Sequence, residues 1–149
     1  MTWWSRLAPL PGGRLLFSLA LGWLAPYSGS IGARVEEIRP GYARVSIRDR
    51  RRLRNHLRSM HAIALINLGE LATGLAVLST ISGNMRGIVL NIHADYLKKA
   101  RGKLTAIAEF KLPQPLLDDT PCEVEARLQD HSGETVTRVR ATWLIGYKN

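Results

Sequence analysis

Over residues 42–48 the chain alternates cleanly. Ala43, Val45 and Ile47 fall on one side of an extended backbone, and Arg44, Ser46 and Arg48 on the other. The alternation returns near the C-terminus, where Thr137, Val139, Ala141 and Trp143 oppose Val136, Arg138, Arg140 and Thr142. Between these stretches, residues 62–81 are apolar at nearly every position, which predicts a helix buried on most sides. Turn-forming residues divide the rest. Pro26, Tyr27, Ser28, Gly29 and Ser30 close a helical leader, and Arg39, Pro40 and Gly41 join strands at 31–38 and 42–48 into a hairpin. Ser82, Gly83 and Asn84 follow the helix. Residues 88–97, 104–112, 122–129 and 136–147 are then predicted as strands, with breaks at 98–102, 113–121 and 131–133.

Six strands and one long helix do not make an alternating parallel fold, because most connections are too short for crossovers. The economical arrangement is α+β: an antiparallel sheet of about six strands wrapped around one long central helix, with an extra N-terminal helix. The division predicted is a leader at 1–30 and one domain at 31–149. One sheet cannot cover a helix that is apolar all round, so a second copy of the chain is expected to help bury it.

Residues 15–26 are apolar, follow Arg14 and precede any acidic residue, features shared with signal and transit peptides. The run is too short to span a bilayer. The spacing of Leu15, Leu16, Leu19 and Trp23 predicts instead an amphipathic helix docked on a core by that face. Residues 60–81 are long enough to span, but a central carboxylate is costly in lipid, so no stable membrane insertion is expected.

Composition sharpens this picture in two places. The net charge is +9, with cations clustered at Arg48, Arg50, Arg51, Arg52, Arg54 and Arg58 and again at Lys98, Lys99, Arg101 and Lys103. Nucleic acid, an anionic membrane and a phosphorylated small ligand would each suit such a surface. Aromatic residues make up only 7% and do not interleave with the arginines, which argues against nucleic acid. The single cysteine, Cys122, precludes an internal disulfide or a cysteine metal cluster and fits a reducing, cytoplasmic setting. His56, His61, His93 and His131 lack helical ligand spacing, so no metal site is expected.

The candidate chemistry lies where the apolar helix begins. Glu70 is its one carboxylate, and an ionised carboxylate is costly to bury unless paired or used. Burial would raise its pKa toward the range of a competent base. The opening N–H groups of the helix, at Ala62 and Ile63, can donate to an oxyanion. Ser59 is the composition-based choice for the helix cap. Asn55 and His61 could orient water or a thioester, or simply satisfy local backbone groups. Asn67, Glu70 and Gly74 fall on one side of the helix.

This stretch resembles the hotdog-fold acyl-CoA thioesterases of the phenylacetic-acid-degradation type. Their motif is an Asn, five residues, His-Gly-Gly, then an Asp or Glu nine residues after the His. Asn55, His61 and Glu70 stand at those positions, and Tyr96 matches an aromatic often found on the following strand. The likeness spans roughly residues 31–147 and is closest to a functionally uncharacterised branch of thioesterases. Ala62 and Ile63 replace the Gly-Gly pair, and Val89 stands where some relatives use Ser or Thr. The resemblance implies a hydrolase in which Glu70 activates water or attacks the thioester. The Ala62 N–H would hold the carbonyl oxygen, with Asn55 and His61 beside it. It also implies a homodimer, or a tetramer built as a dimer of dimers, with the site shared between subunits. No cofactor is implied beyond the coenzyme A moiety of the substrate, whose phosphates give Lys98, Lys99, Arg101, Arg54 and Arg58 a binding role. An acyl carrier protein is the alternative carrier.

Two other readings stay open. A non-catalytic acyl-thioester-binding protein is compatible with the altered Gly-Gly pair. A hydroxyacyl-thioester dehydratase is compatible with His56 lying fourteen residues before Glu70.

Overall fold

The computed structural model describes residues 2–116 and 119–148. A leader of three helices, α1 (Thr2–Leu7), α2 (Gly13–Leu24) and α3 (Pro26–Gly29), precedes the hairpin β1 (Arg34–Arg39) and β2 (Tyr42–Ile47). A short 3-10 turn at Arg51–Leu53 leads to the long helix α4 (Ala62–Leu78). Four strands follow: β3 (Met85–Tyr96), β4 (Leu104–Glu109), β5 (Thr120–Gln129) and β6 (Thr135–Tyr147). Every neighbouring pair is antiparallel, in the order β1-β2-β4-β5-β6-β3. The sheet curls around α4, the arrangement of the α+β hotdog fold.

The register explains how the helix comes so close. Ala43 opposes Ala108, Ala108 opposes Ala126, Ala126 opposes Val139, and Val139 opposes Ala94. A row of small side chains therefore crosses the sheet beneath the middle of α4. Leu68, Ala72 and Ala76 fill that trough, each completely buried. Gly69 completes it, because a Cβ there would stand 2.4 Å from Val139 Cβ. Leu104, Ala106, Leu128 and Val136 extend this core to one side, and Val124, Trp143 and Ile145 extend it to the other.

Element ends differ from the sequence reading for local reasons. The helix stops at Leu78 rather than residue 81, because the Ser79 and Thr80 hydroxyls both donate to the Ala76 carbonyl. Strand β3 starts three residues before the expected 88, since pairing with β6 already begins at Met85 opposite Tyr147. The expected break at 113–121 falls partly on residues 117 and 118, which lie outside the described residues. Pro121 belongs to β5 rather than to that break. It pairs with Leu144, and β4 reaches only residues 126–129 of β5, so the missing N–H faces no described strand.

The leader departs more. Pro26 starts a helical turn instead of a loop. The face of α2 that docks is the reverse of the one predicted: Phe17 and Leu21 pack with Trp4, Val35 and Ile38, while Leu15, Leu16, Leu19 and Trp23 face outward. Ser18 decides the orientation. Its buried hydroxyl accepts from the Val35 N–H at 2.9 Å and donates to the Arg14 carbonyl at 2.7 Å. The polar Ser18 thus satisfies part of the β1 edge, so α2 turns Ser18 inward with Phe17 and Leu21, and Leu15, Leu16 and Leu19 out. Among the described residues, no helix is long and apolar enough to cross a membrane.

Candidate active site

The start of α4 is built by a loop folded on itself. The Asn55 side-chain oxygen accepts from the N–H groups of Leu57 and Ser59, at 2.9 and 3.2 Å. The Asn55 N–H donates to the Ser59 carbonyl at 2.8 Å. Arg58 takes a left-handed conformation, φ 56°, to close this turn. Asn55 thereby shapes the loop with its oxygen and keeps its side-chain N–H₂ for another acceptor. The loop is then stapled to the segment after β3. The Met60 N–H and the Ser59 hydroxyl both donate to the Ala100 carbonyl, at 2.8 and 3.0 Å.

That staple uses Ser59, so Ser59 does not cap the helix. His61 does. Its backbone is extended, and its Nδ1 accepts from the Ile63 N–H at 3.2 Å. The ring therefore supports the helix opening, and the Ala62 N–H, at the first helical position, has no intrahelical acceptor. Tyr96, at the end of β3, donates its hydroxyl to the Ala62 carbonyl at 3.2 Å. Burial pushes the Tyr96 pKa up, so the phenol stays a donor.

Asn55, Ala62, Tyr96, Lys98 and Lys99 share one groove of about 380 Å³, floored by Leu57, Met60, Leu65 and Leu97. An adjoining bowl of about 620 Å³ carries Arg51, Arg54, Arg58 and His56, with Asn55 on the wall between the two. Lys99 is exposed in the first groove, whereas Lys98 pairs with Glu134. Arg54 is held by Asp49 at 2.6 Å, and the other Asp49 oxygen accepts from the Gly102 N–H at 3.0 Å. The hydrogen bond from Arg54 is the main cause holding Asp49 below its ordinary pKa. Arg101 lines neither hollow. Asp49 and Ala100 were not legible as site supports, because the polar loops they join lie some forty to fifty residues apart.

Glu70 stands elsewhere. It follows Ala62 by eight residues, about 12 Å along the axis at 1.5 Å per residue. It also lies two positions from Leu68 and from Ala72, hence about 200° around the helix from the sheet contact. That outward face holds Ile63, which is 48% exposed, half-buried Ile66, and Asn67. Asn67 donates to the Tyr27 carbonyl at 3.1 Å and keeps a buried oxygen without a described partner. Gly74, expected on the same side, lies against the Trp143 ring, whose N–H donates to the Thr73 hydroxyl at 3.2 Å. Among the described residues no cation pairs with Glu70, and burial alone raises its pKa. A single chain therefore offers a desolvated carboxylate and an open helix terminus too far apart to act on one carbonyl. Among the described residues, no three His, Cys, Asp or Glu side chains converge to hold a metal ion.

A family model described as a domain of unknown function, DUF4442, matches residues 13–145. A structural-genomics crystal structure is 32% identical, with a TM-score of 0.82, covering 91% of this chain and 90% of that one. A protein of unknown function from Pseudomonas aeruginosa, described as a probable thioesterase, is 24% identical with a TM-score of 0.71. Coverage is 83% of this chain and 88% of that one. A thioesterase family protein from Silicibacter pomeroyi is 20% identical with a TM-score of 0.73, covering 88% of this chain and 96% of that one. The search of curated proteins gave no match.

Proposed function

The chain belongs to the DUF4442 family, and on that premise we propose that it hydrolyses the thioester of a fatty or aryl acyl-CoA at a site shared by two protomers. The observation that carries this reading is the separation within one chain. Glu70 is half-buried, has no cation partner among the described residues and is raised in pKa by desolvation, while the Ala62 N–H opens about 12 Å away along the axis. A second copy laid antiparallel on the outward face of α4 brings one protomer's Glu70 to the other's helix start. Exposed Ile63 and the apolar edge of β3, with Ile88 and Leu90 outward, are the surfaces such a copy covers. The thioesterase descriptions of the Pseudomonas and Silicibacter structures point the same way.

In this mechanism the Ala62 N–H donates to the thioester oxygen. Glu70 takes a proton from water as the water oxygen bonds to the carbonyl carbon, building charge on the oxygen. Collapse breaks the C–S bond, the proton passes to the departing sulfur, and carboxylic acid and free thiol leave. Direct attack by Glu70, with an anhydride then hydrolysed by water, gives the same products. Asn55 offers its side-chain N–H₂ to water or to the substrate, and His61 keeps the helix terminus open. Lys99, Arg54 and Arg58 would meet the phosphates, with Lys98 and Arg101 as outer charges. An acyl carrier protein would meet the same cations.

The test is a panel of acyl-CoA esters with a thiol-trapping reagent, comparing the native chain with Glu70→Gln. Thiol release that the variant loses while still binding ligand supports hydrolysis. A binding-only protein, favoured by the Ala62 and Ile63 side chains at the helix start, binds the esters and releases no thiol from either form. Hydration of enoyl-CoA without thiol release would instead mark a dehydratase, with His56 in the arginine-lined bowl.

A further inference from the structure

The leader exposes apolar surface that neither the fold nor the proposed chemistry uses. On α2, Leu16, Leu19 and Trp23 recur at helical spacing on the outward face, with Leu19 63% and Trp23 83% exposed. Trp3, Leu10, Leu24 and Tyr27 are exposed in the same leader. The Ser18 bond to Val35 and the packing of Phe17 and Leu21 on Trp4, Val35 and Ile38 hold this face outward, so the stripe is a built feature of the fold.

Its rim is cationic. Leu15 and Leu19 form one wall of a groove of about 580 Å³ whose other wall is Arg34, Arg48, Arg50, Arg52 and Lys103. The Arg50 and Arg52 guanidinium groups converge over the left-handed Gly32, where a Cβ would stand 3.0 and 3.2 Å from them. Glu36, the one carboxylate lining the groove, is already engaged by Arg34 and Lys103. Among the described residues, Arg48, Arg50 and Arg52 have no carboxylate partner, and no acidic residue precedes Glu36.

We propose that this face is a peripheral docking surface for an anionic phospholipid bilayer: Leu16, Leu19 and Trp23 enter the headgroup boundary while Arg48, Arg50 and Arg52 meet lipid phosphates. An apolar stripe with an indole at its end and guanidinium groups alongside is the pattern such an interface selects. A second copy docked through this same face would bring its own Arg48, Arg50 and Arg52 against these, setting like charges against each other. The contact is interfacial and involves no spanning segment.

The experiment is flotation of the full chain with vesicles of phosphatidylglycerol and phosphatidylcholine, compared with phosphatidylcholine alone, at low and high salt. The expected result is binding that needs the anionic lipid and weakens with salt. Arg48→Glu with Arg50→Glu should cut it at least about tenfold, since each basic residue near an anionic surface contributes about 1 kcal/mol. Leu16→Glu with Leu19→Glu should abolish it while the circular dichroism spectrum is unchanged. Absence of vesicle binding would overturn the proposal, as would binding indifferent to both double variants. So would a solution oligomer that Leu16→Glu with Leu19→Glu takes apart, which would give the stripe to a second copy.

Discussion

Gly69 lies so close to Val139 that a side chain could not be added without displacing one of them: a Cβ there would stand 2.4 to 2.7 Å from three Val139 carbons. This contact sets the height of α4 above β6, and the next residue, Glu70, lies about 100° further around the helix. Replacing Gly69 with alanine should therefore cost about 1–3 kcal/mol, as overpacked cores do. Lowered midpoints in both thermal and urea unfolding would measure it. Pairing Gly69→Ala with Val139→Ala should restore much of the loss.

Activity should depend on pH through Glu70. Burial raises its pKa, and only the ionised form accepts a proton from water. The pH profile of kcat/KM should rise through a single ascending limb above the ordinary carboxylate range. An acyl-CoA ester with a stable thiol reporter would show it, and Glu70→Gln should lose about a hundredfold or more in rate.

Stability should move the other way. A carboxyl whose folded pKa lies above its unfolded value binds more protons when folded, so its favourable contribution is complete below the unfolded value. That contribution fades as pH rises through the folded value. Glu70→Gln should flatten this fall, seen as a smaller drop in Tm between mildly acid and neutral pH.

The latch between Asp49 and Arg54 should govern the loop at 55–61. Asp49 also accepts from Gly102, so Asp49→Asn loosens two ties at once. Hydrogen exchange should speed up at residues 54–61 and remain slow within α4. Exchange unchanged at the loop would show that the Ala100 staple alone maintains it.

In the proposed homodimer the two β3 edges would pair. Leu90 is 57% exposed at the middle of that edge. Leu90→Lys should shift sedimentation toward monomer, and, on the proposed two-chain site, thiol release should fall with it.

The strands and the long helix were legible because their signals are local. Alternation at Ala43, Val45 and Ile47, and at Val139, Ala141 and Trp143, reports directly which side faces the core. What escaped is decided by partners distant in sequence. Ser59 looks like a cap and is instead tied to Ala100, which leaves the cap to His61. In α2 the leucines have the spacing of a docked face, yet one hydroxyl, Ser18, found the open N–H of Val35 and turned the helix over. For the candidate site, the sequence showed the residues and their spacing. It did not show the distant ties, from Ser59 to Ala100 and from Asp49 to Gly102, that hold the helix opening in place.

The placement of β6 between β5 and β3 has a consequence for how the molecule comes into being. During synthesis β3 emerges long before β6, and α4 emerges with it, so the greasy helix must wait with one flank of its wrapping absent. Only when residues through Tyr147 have left the ribosome can β3 find its neighbour, so this flank of the core is the last to close.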